Sequence, residues 1–146
     1  GTYGVLALMV SFTLRALALT IIISVTGGWD GFLMLVGVAA ASRAAMVWHW
    51  NALPPARHNG VAASVGAPDD RARNLALLSG AIVFMLVVTL ASDLVTAALG
   101  LALLAAATSQ WTSMVRSKLG GHTGDTIGAT QQIGEAVCLT ALALLL

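Results

Sequence analysis

The sequence predicts an all-α fold, a polytopic bundle of about five transmembrane helices in a single membrane domain. Three observations predict it. Only 9% of the 146 residues are charged and 58% are hydrophobic, whereas soluble domains carry about 25% charged residues. The apolar residues are concentrated in five runs of about 20 residues, the length that crosses a hydrocarbon core. Short polar or glycine-rich segments separate these runs.

The predicted helices follow one another closely, except at one place. They cover about 3–25, 32–50, 75–91, 94–114 and 126–146. The breaker-rich segment "TGGWDG" (26–31) predicts a tight turn, and Ser92 and Asp93 predict another. Residues 51–74 form the longest polar segment and contain all three prolines.

Among the connections between the predicted spans, basic residues occur in only two. Residues 51–74 contain Arg57, Arg71 and Arg73, and the connection between the fourth and fifth spans contains Arg116 and Lys118. By the positive-inside rule these two connections, and with them the N-terminus, are predicted to be cytoplasmic. The predicted location is a bacterial inner membrane that the chain crosses several times, with its active face in the cytoplasm. A net charge of only +1 does not indicate a nucleic-acid-binding protein.

Three charged side chains fall inside the predicted spans, where a charge costs at least about 2.5–3.5 kcal/mol. They are Arg15, Arg43 and Glu135. At 1.5 Å per residue they lie about 18, 10 and 14 Å from the predicted ends of their helices. Such groups turn toward the bundle interior and find partners, so we expect Glu135 to pair with Arg15 or Arg43. The same side chains could also line a polar cavity that opens to the cytoplasm.

The segment "GGHTGD" (120–125) carries the densest polar chemistry in the chain. Glycines let successive N–H groups turn toward an anion, and the start of a helix adds partial positive charge. Asp125 is a hard oxygen ligand suited to Mg²⁺, and Arg116 and Lys118 shortly precede it. These features predict a phosphate–magnesium site. The alternative is an ordinary helix cap formed by Thr123 or Asp125, and the pattern alone does not separate the two.

Other polar and small residues suggest how the helices pack. Gln131 and Glu135 share one face of the fifth helix. Gly124, Gly128 and the small Ala129 are predicted to allow close backbone approach. His49 stands between two tryptophans and is predicted to lie in an interfacial aromatic belt.

Four stretches carry a resemblance to one enzyme family. "LGGHTGDTIGATQQIGE" (119–135) closely resembles the C-terminal signature of cobalamin (5′-phosphate) synthase, the adenosylcobinamide-GDP ribazoletransferase family. "SRAAM" (42–46) followed by "ARHNGV" (56–61) resembles a second family segment. "GTYGVLAL" (1–8) is similar to the tail of a third. The resemblance covers the whole chain, in order.

The resemblance implies a membrane enzyme of late vitamin B12 assembly. Such an enzyme joins adenosylcobinamide-GDP to α-ribazole, or to its 5′-phosphate, releases GMP and requires Mg²⁺. A ribose hydroxyl attacks the cobinamide-proximal phosphate of the pyrophosphate. Positioning, and cations on the phosphate oxygens, are the main sources of catalysis in reactions of this kind.

The family's functional positions carry over onto named residues of this chain. The residues matching the signature are Gly120, Gly121, Thr123, Gly124, Asp125, Gly128, Ala129 and Glu135. The residues expected to be catalytic are Asp125, Glu135 and Arg57, the two carboxylates also as metal ligands. The residues expected to bind substrate phosphate are Arg43, Lys118, Gly121, Thr123 and Gly124.

One departure from the family pattern is informative. The acidic element His-x-Asp-Gly-x-x-Asp-x-x-Asp-Gly, which belongs upstream, is missing from this sequence. We therefore expect residues 1–146 to be the C-terminal portion of a longer enzyme and to be inactive alone. One alternative is a small transporter or membrane scaffold with the charged residues of the spans as an ion path. Another is a CDP-alcohol phosphotransferase, although the Asp-Gly…Asp…Asp motif of those enzymes is not found in the sequence.

Overall fold

A computed structural model describes residues 1–56 and 65–146. Within them the chain forms five long helices. In chain order these are α1 (Thr2–Thr26), α2 (Gly28–Ala52), α3 (Asp70–Ala91), α4 (Leu94–Leu119) and α5 (Gly124–Leu145). All five are long and apolar enough to cross a membrane. The predicted all-α, multi-pass membrane fold is therefore confirmed.

Helix α2 lies at the centre of the bundle and contacts the other four helices, while α1 packs against α2 and α5. The contact between α2 and α3 is close because glycine replaces a larger side chain at two crossing points. A Cβ atom on Gly37 would lie 2.6 Å from Val87, and one on Gly80 would lie 2.6 Å from the Cβ of Ala44. The buried core between the helices is centred on Met34, Val38, Phe84, Val88, Cys138 and Leu142.

The helices alternate in direction, so their ends gather on two faces. One face holds the starts of α1, α3 and α5 and the ends of α2 and α4; we call it the loop face. The opposite face holds only Gly27 and the pair Ser92–Asp93 between helices. Any chemistry that the longer connections carry is therefore concentrated at the loop face.

The predicted turn over 26–31 is wrong except at Gly27. Gly27 alone adopts φ 90° and redirects the chain, and α2 starts at the next residue. Gly31 makes this tight return possible, because a Cβ there would lie 2.7 Å from the side chain of Ile23. The turn at Ser92–Asp93 is confirmed, and the Asp93 carboxylate accepts N–H bonds from Val95 and Thr96.

At the loop face, α3, α4 and α5 extend farther than hydrophobicity predicts, because their terminal turns consist largely of polar residues. Asp69 caps α3 by accepting the Ala72 N–H, so that helix begins five residues before the predicted start. Helix α4 continues to Leu119, with Arg116 and Lys118 in its last turn, where cations interact favourably with the helix dipole. Helix α5 begins two residues before the predicted start.

Candidate active site at the loop face

Residues 120–125, which we call the glycine loop, are held against the end of α2 by backbone hydrogen bonds. Gly120 ends α4 in the left-handed conformation, with φ 70°, which glycine adopts without steric cost. The chain then pairs with the segment after α2. The His122 N–H donates to Pro54 O at 2.8 Å, and the Ala56 N–H donates to His122 O at 2.9 Å.

Gly121 is the residue that allows this pairing. It is buried, and a Cβ atom added to it would collide with the carbonyl oxygen of Pro54 and lie 2.8 Å from the Ala56 nitrogen. Its backbone therefore packs directly on the 54–56 segment. Gly121, predicted to bind phosphate, has a structural role in this contact.

The start of α5 forms a capping box. The Thr123 hydroxyl accepts the Thr126 N–H at 3.2 Å, and the Thr126 hydroxyl accepts the Thr123 N–H at 2.9 Å. Thr123 is thus the cap that the alternative interpretation predicted. The next two amides, of Gly124 and Asp125, have no acceptor among the described residues, and both residues are exposed. Capping therefore leaves two N–H groups at the positive end of the helix dipole available to an anion.

The exposed side of the first turns of α5 is unusually smooth. Cβ atoms on Gly124 and Gly128 would meet nothing within 4 Å, so the predicted close approach of another helix at these glycines is wrong. The two glycines lie on one face with Gln131 and Glu135, at i, i+4, i+7 and i+11. A ligand at the loop face can therefore approach the α5 backbone without meeting a side chain.

His49 links α2 to α4 and to the start of α5. The prediction that it lies in an interfacial aromatic belt is wrong. It is fully buried. The Thr112 hydroxyl donates to Thr108 O at 2.8 Å, so it accepts the bond from His49 Nδ1 at 2.8 Å. His49 Nε2 then carries its lone pair 3.5 Å from the hydroxyl of Thr126. One imidazole thereby links α2, α4 and the α5 cap.

His122 turns its side chain into the bundle. It is only 2% exposed, and its ring meets the Trp50 ring edge-on, with 6.4 Å between the centroids. Neither ring nitrogen has a hydrogen-bond partner within the described part of the chain. Burial lowers the pKa of the His122 imidazole below its usual value, so the ring is neutral at pH 7.

We expect this burial to make folding sensitive to acid. The folded-state pKa lies below the unfolded value of about 6.5, so protonation favours the unfolded state. Stability is then fully present above about pH 6.5 and declines as the pH falls toward and through the folded-state pKa. Thermal unfolding of detergent-solubilised protein at pH 8 and pH 5 measures this loss. In His122→Phe, which keeps the ring contact with Trp50, the loss should be smaller; an unchanged loss would mean that another group causes it.

The three charged side chains of the spans meet at Glu135, although the Arg43 side chain is 57% exposed and does not turn inward as predicted. Arg15 Nη1 lies 2.9 Å from Glu135 Oε2, and Arg43 Nη1 lies 3.7 Å from Glu135 Oε1. Gln131 also donates to Glu135 Oε1, at 3.0 Å. The ion pair predicted for Glu135 is therefore present, with both arginines as partners. One carboxylate joins α1, α2 and α5.

The structure does not bring all the predicted site residues together. Asp125 and Glu135 are ten residues apart on α5, about 15 Å along the axis, so they cannot share one metal ion. Arg43 lies nine residues before the end of α2 and contacts Glu135, away from the glycine loop. Lys118 is exposed in the last turn of α4, next to the glycine loop. Arg57 lies outside the described residues.

Metal binding at the loop face depends on few groups. Among residues 1–56 and 65–146, no three His, Cys, Asp or Glu side chains are grouped as a metal site. Asp125 is the exposed carboxylate of the glycine loop. One carboxylate suffices for Mg²⁺ where substrate phosphates and water supply the remaining ligands. The donor set fits a metal that arrives with a phosphorylated substrate.

Sequence reasoning missed the residues that support the glycine loop. The sequence does not indicate that Thr112 and Thr126 are partners of His49, or that Pro54 pairs with the glycine loop. A weak signal exists for the threonines, because polar residues within apolar helices need partners. No local signal marks Pro54 as the partner of residues 67 or more positions away.

Comparison with known proteins places this architecture in a family. Residues 1–143 match the model of the family described as cobalamin-5-phosphate synthase. A protein named adenosylcobinamide-GDP ribazoletransferase from Rhizobium meliloti (strain 1021) is 48% identical over 145 residues, which is 99% of this chain and 55% of the relative. Its namesake from Bradyrhizobium diazoefficiens is 39% identical over 143 residues, 98% of this chain and 52% of the relative. No solved structure matches the chain.

The chain spans about half the length of the curated relatives it matches. Its likeness to them covers all five helices and the glycine loop, because the family model extends from the first residue to residue 143. The chain belongs to the cobalamin-5-phosphate synthase family.

Proposed function

We propose that this chain supplies the phosphate-handling half of an adenosylcobinamide-GDP ribazoletransferase. The enzyme joins adenosylcobinamide-GDP to α-ribazole, or to its 5′-phosphate, and releases GMP. Family membership and the names of the relatives support this reaction. They do not favour the transporter or the CDP-alcohol phosphotransferase.

The observation that carries the proposal is the open start of α5. Gly124 and Asp125 present two amides without acceptors among the described residues, and Gly128 leaves the adjacent surface bare. Lys118 stands at the end of α4, across the glycine loop. Amides at a helix start together with a nearby cation form a ready binding site for phosphate. We assign this site to the pyrophosphate of adenosylcobinamide-GDP.

In the proposed reaction a ribose hydroxyl of the acceptor attacks the phosphorus nearer to cobinamide. A new P–O bond forms, the P–O bond to GMP breaks, and the hydroxyl proton leaves to solvent or a base. The α5 amides and Lys118 hold the pyrophosphate and stabilise the charge that builds on its oxygens. Asp125 would hold Mg²⁺, which neutralises further phosphate charge when bound. Arg57 remains a candidate for a phosphate contact.

Glu135 and Arg43 have a different role in this proposal. Both oxygens of Glu135 are engaged by Arg15, Arg43 and Gln131, so this carboxylate is not free to act as a metal ligand. We assign to this cluster the task of fixing α5 against α1 and α2. The alignment of the α5 start then depends on a contact about 15 Å away.

The basic residues support a cytoplasmic position for the loop face. Arg71 and Arg73 lie in the first turn of α3, and Arg116 and Lys118 lie in the last turn of α4. The positive-inside rule favours such residues on the cytoplasmic side of an inner membrane. Both substrates would then reach the site from the cytoplasm.

A chimera tests the proposal. The segment of the Rhizobium meliloti relative that this chain matches is replaced by residues 1–146, and the purified chimera is supplied with adenosylcobinamide-GDP, α-ribazole and Mg²⁺. We expect GMP and the joined product in equal amounts, and no product from the chain alone. A folded, membrane-inserted chimera that releases no GMP with either acceptor would contradict the proposed function.

Asp125 is the most informative single residue in that chimera. We expect Asp125→Asn to lower kcat/KM by roughly 100-fold or more, the effect of removing one group that stabilises developing charge. Asp30→Asn is the matched control, because Asp30 lies in the first turn of α2 on the opposite face. Steady-state GMP release measures both variants. Equal activities for the two would remove Asp125 from the site.

A further inference from the structure

A groove separates α3 from α4 on the side of the bundle that is backed by α2. Its volume is about 220 Å³. The floor is built of small α2 residues, Ala41, Ala44 and Ala45, and it ends at Trp48. Leu77 of α3 and Ala105 of α4 stand at its edges and are exposed. The groove therefore opens outward, between two membrane-spanning helices.

The groove lies at the depth of the lipid chains. Ala41 is 11 residues before the end of α2 and Trp48 is four, which places them about 17 Å and 6 Å from the loop-face end of that helix. The groove thus extends from the membrane interface to near the bilayer centre. An occupant of its length must be apolar and must enter from the bilayer.

A cation stands above the interfacial end of the groove. Ala41, Ala45, Trp48 and Ala52 lie on one face of α2, at i, i+4, i+7 and i+11. The Arg116 guanidinium donates to the carbonyl oxygen of Ala52 at 3.1 Å, so it continues this line toward the loop face. Its charge has no carboxylate partner among the described residues.

Both acidic side chains at the start of α3, Asp69 and Asp70, have partners of their own. The Asp70 carboxylate lies 2.9 Å from Arg73 Nη1, and the Asp69 carboxylate accepts the Ala72 N–H at 2.7 Å as the α3 cap. Arg116 therefore places a positive charge without a carboxylate partner at the mouth of the groove. A molecule with an apolar part near the bilayer centre and an anionic group at the loop face complements both ends of the groove.

We propose that the groove binds one acyl chain of an anionic phospholipid, whose phosphate pairs with Arg116. The volume of the groove exceeds that of a cavity of about 150 Å³ that binds benzene, yet it is smaller than the volume of one turn of a helix of about 10–12 Å diameter. Basic pockets between membrane helices on the cytoplasmic side are known to bind anionic headgroups. A zwitterionic lipid fills the groove equally well but pairs less favourably with Arg116. The proposal is independent of the enzymatic reaction.

Native mass spectrometry of the chain, released from bilayers of equimolar phosphatidylglycerol and phosphatidylcholine with identical acyl chains, tests this. We expect one retained lipid, mostly phosphatidylglycerol. Arg116→Gln should reduce the retained ratio of the two lipids by about fivefold, the effect of one arginine near an anionic surface. Arg71→Gln, the matched control, removes an exposed arginine of the same face that does not line the groove and should leave the ratio unchanged. Millimolar inorganic phosphate should not displace the lipid.

Filling the groove separates the proposal from non-specific lipid adhesion. Ala105→Phe should abolish the retained lipid while circular dichroism shows an intact helical fold. Ser109→Leu fills the same groove if the phenylalanine variant does not fold. Retention of both lipids in the bulk ratio would overturn the proposal. The proposal would also be overturned if a folded variant with a filled groove retained as much lipid as the unchanged protein. The same holds if filling the groove removed a bound protein or a second copy of the chain instead of a lipid.

Discussion

Replacing Glu135 by glutamine is expected to lower the free energy of unfolding by about 2.5–3.5 kcal/mol, the cost of holding a charge within the spans without a partner. Glu135 is 14% exposed at its side chain and lies 2.9 Å from Arg15. Its loss leaves two guanidinium groups inside the spans without a carboxylate, and it removes the polar contact between α1 and α5. Reversible unfolding in mixed detergent micelles measures the change.

The design of this experiment includes a matched control on the same helix. Asp125→Asn makes the same substitution at an exposed position in the first turn of α5, where only the interaction with the helix dipole is lost. That variant should lower the free energy of unfolding by less than about 1 kcal/mol. The double variant Glu135→Gln with Arg15→Gln should recover part of the loss, since it removes an unpaired charge. A Glu135→Gln protein as stable as the control would show that the cluster does not hold the bundle together.

Enlarging Gly128 is expected to lower activity strongly without harming the fold. A side chain at this position meets open space, and leucine is a better helix former than glycine. In the chimera, Gly128→Leu should fold normally and lower kcat/KM by roughly 100-fold, because it displaces the substrate from the α5 backbone. Thermal unfolding and GMP release report the two effects separately.

Two other glycines serve as comparisons. Gly28→Leu adds the same side chain in open space at the opposite end of the bundle, so it should leave activity unchanged. Gly121→Ala should instead destabilise the protein, because its Cβ collides with Pro54 and disrupts the pairing of His122 with the 54–56 segment. An active Gly128→Leu enzyme would mean that no substrate lies along this part of α5.

The fold follows from the sequence because a membrane leaves few alternatives. Five apolar runs of spanning length must become helices, since only helices satisfy their own backbone groups in lipid. The partners of Glu135 were predictable for a related reason. Only Arg15 and Arg43 carry opposite charge within the spans, so the choice was small.

The ends of the helices were predicted less well because polar residues decide them. The run "TGGWDG" contains several helix breakers, yet a single residue with positive φ, Gly27, makes the turn. Asp69 and Thr123 start helices within polar segments by capping them. Hydrophobicity does not register a cap, so the apolar runs underestimated α3 and α5.

The supports of the site could not be predicted because they join distant parts of the chain. The aromatic neighbours of His49 indicate an interface, whereas its partners, Thr112 and Thr126, are 63 and 77 residues away. Gly121 resembled a phosphate-binding glycine, but it packs on Pro54. The exposed amides at Gly124 and Asp125 follow from a helix cap at Thr123, which the sequence offered as one interpretation of the glycine loop, and that is why this part of the site was recognisable.

Protection of the α5 surface by substrate tests the central claim, that phosphate binds at the start of α5. The only cysteine of this chain, Cys138, is fully buried, so Gly128→Cys introduces an accessible thiol. In a chimera whose remaining segment has its cysteines changed to serine, maleimide labelling is followed with and without saturating adenosylcobinamide-GDP and Mg²⁺. We expect substrate to slow labelling of Gly128→Cys severalfold and to leave Gly28→Cys, on the opposite face, unchanged. Equal labelling of Gly128→Cys with and without substrate, in an enzyme that still releases GMP, would contradict the account.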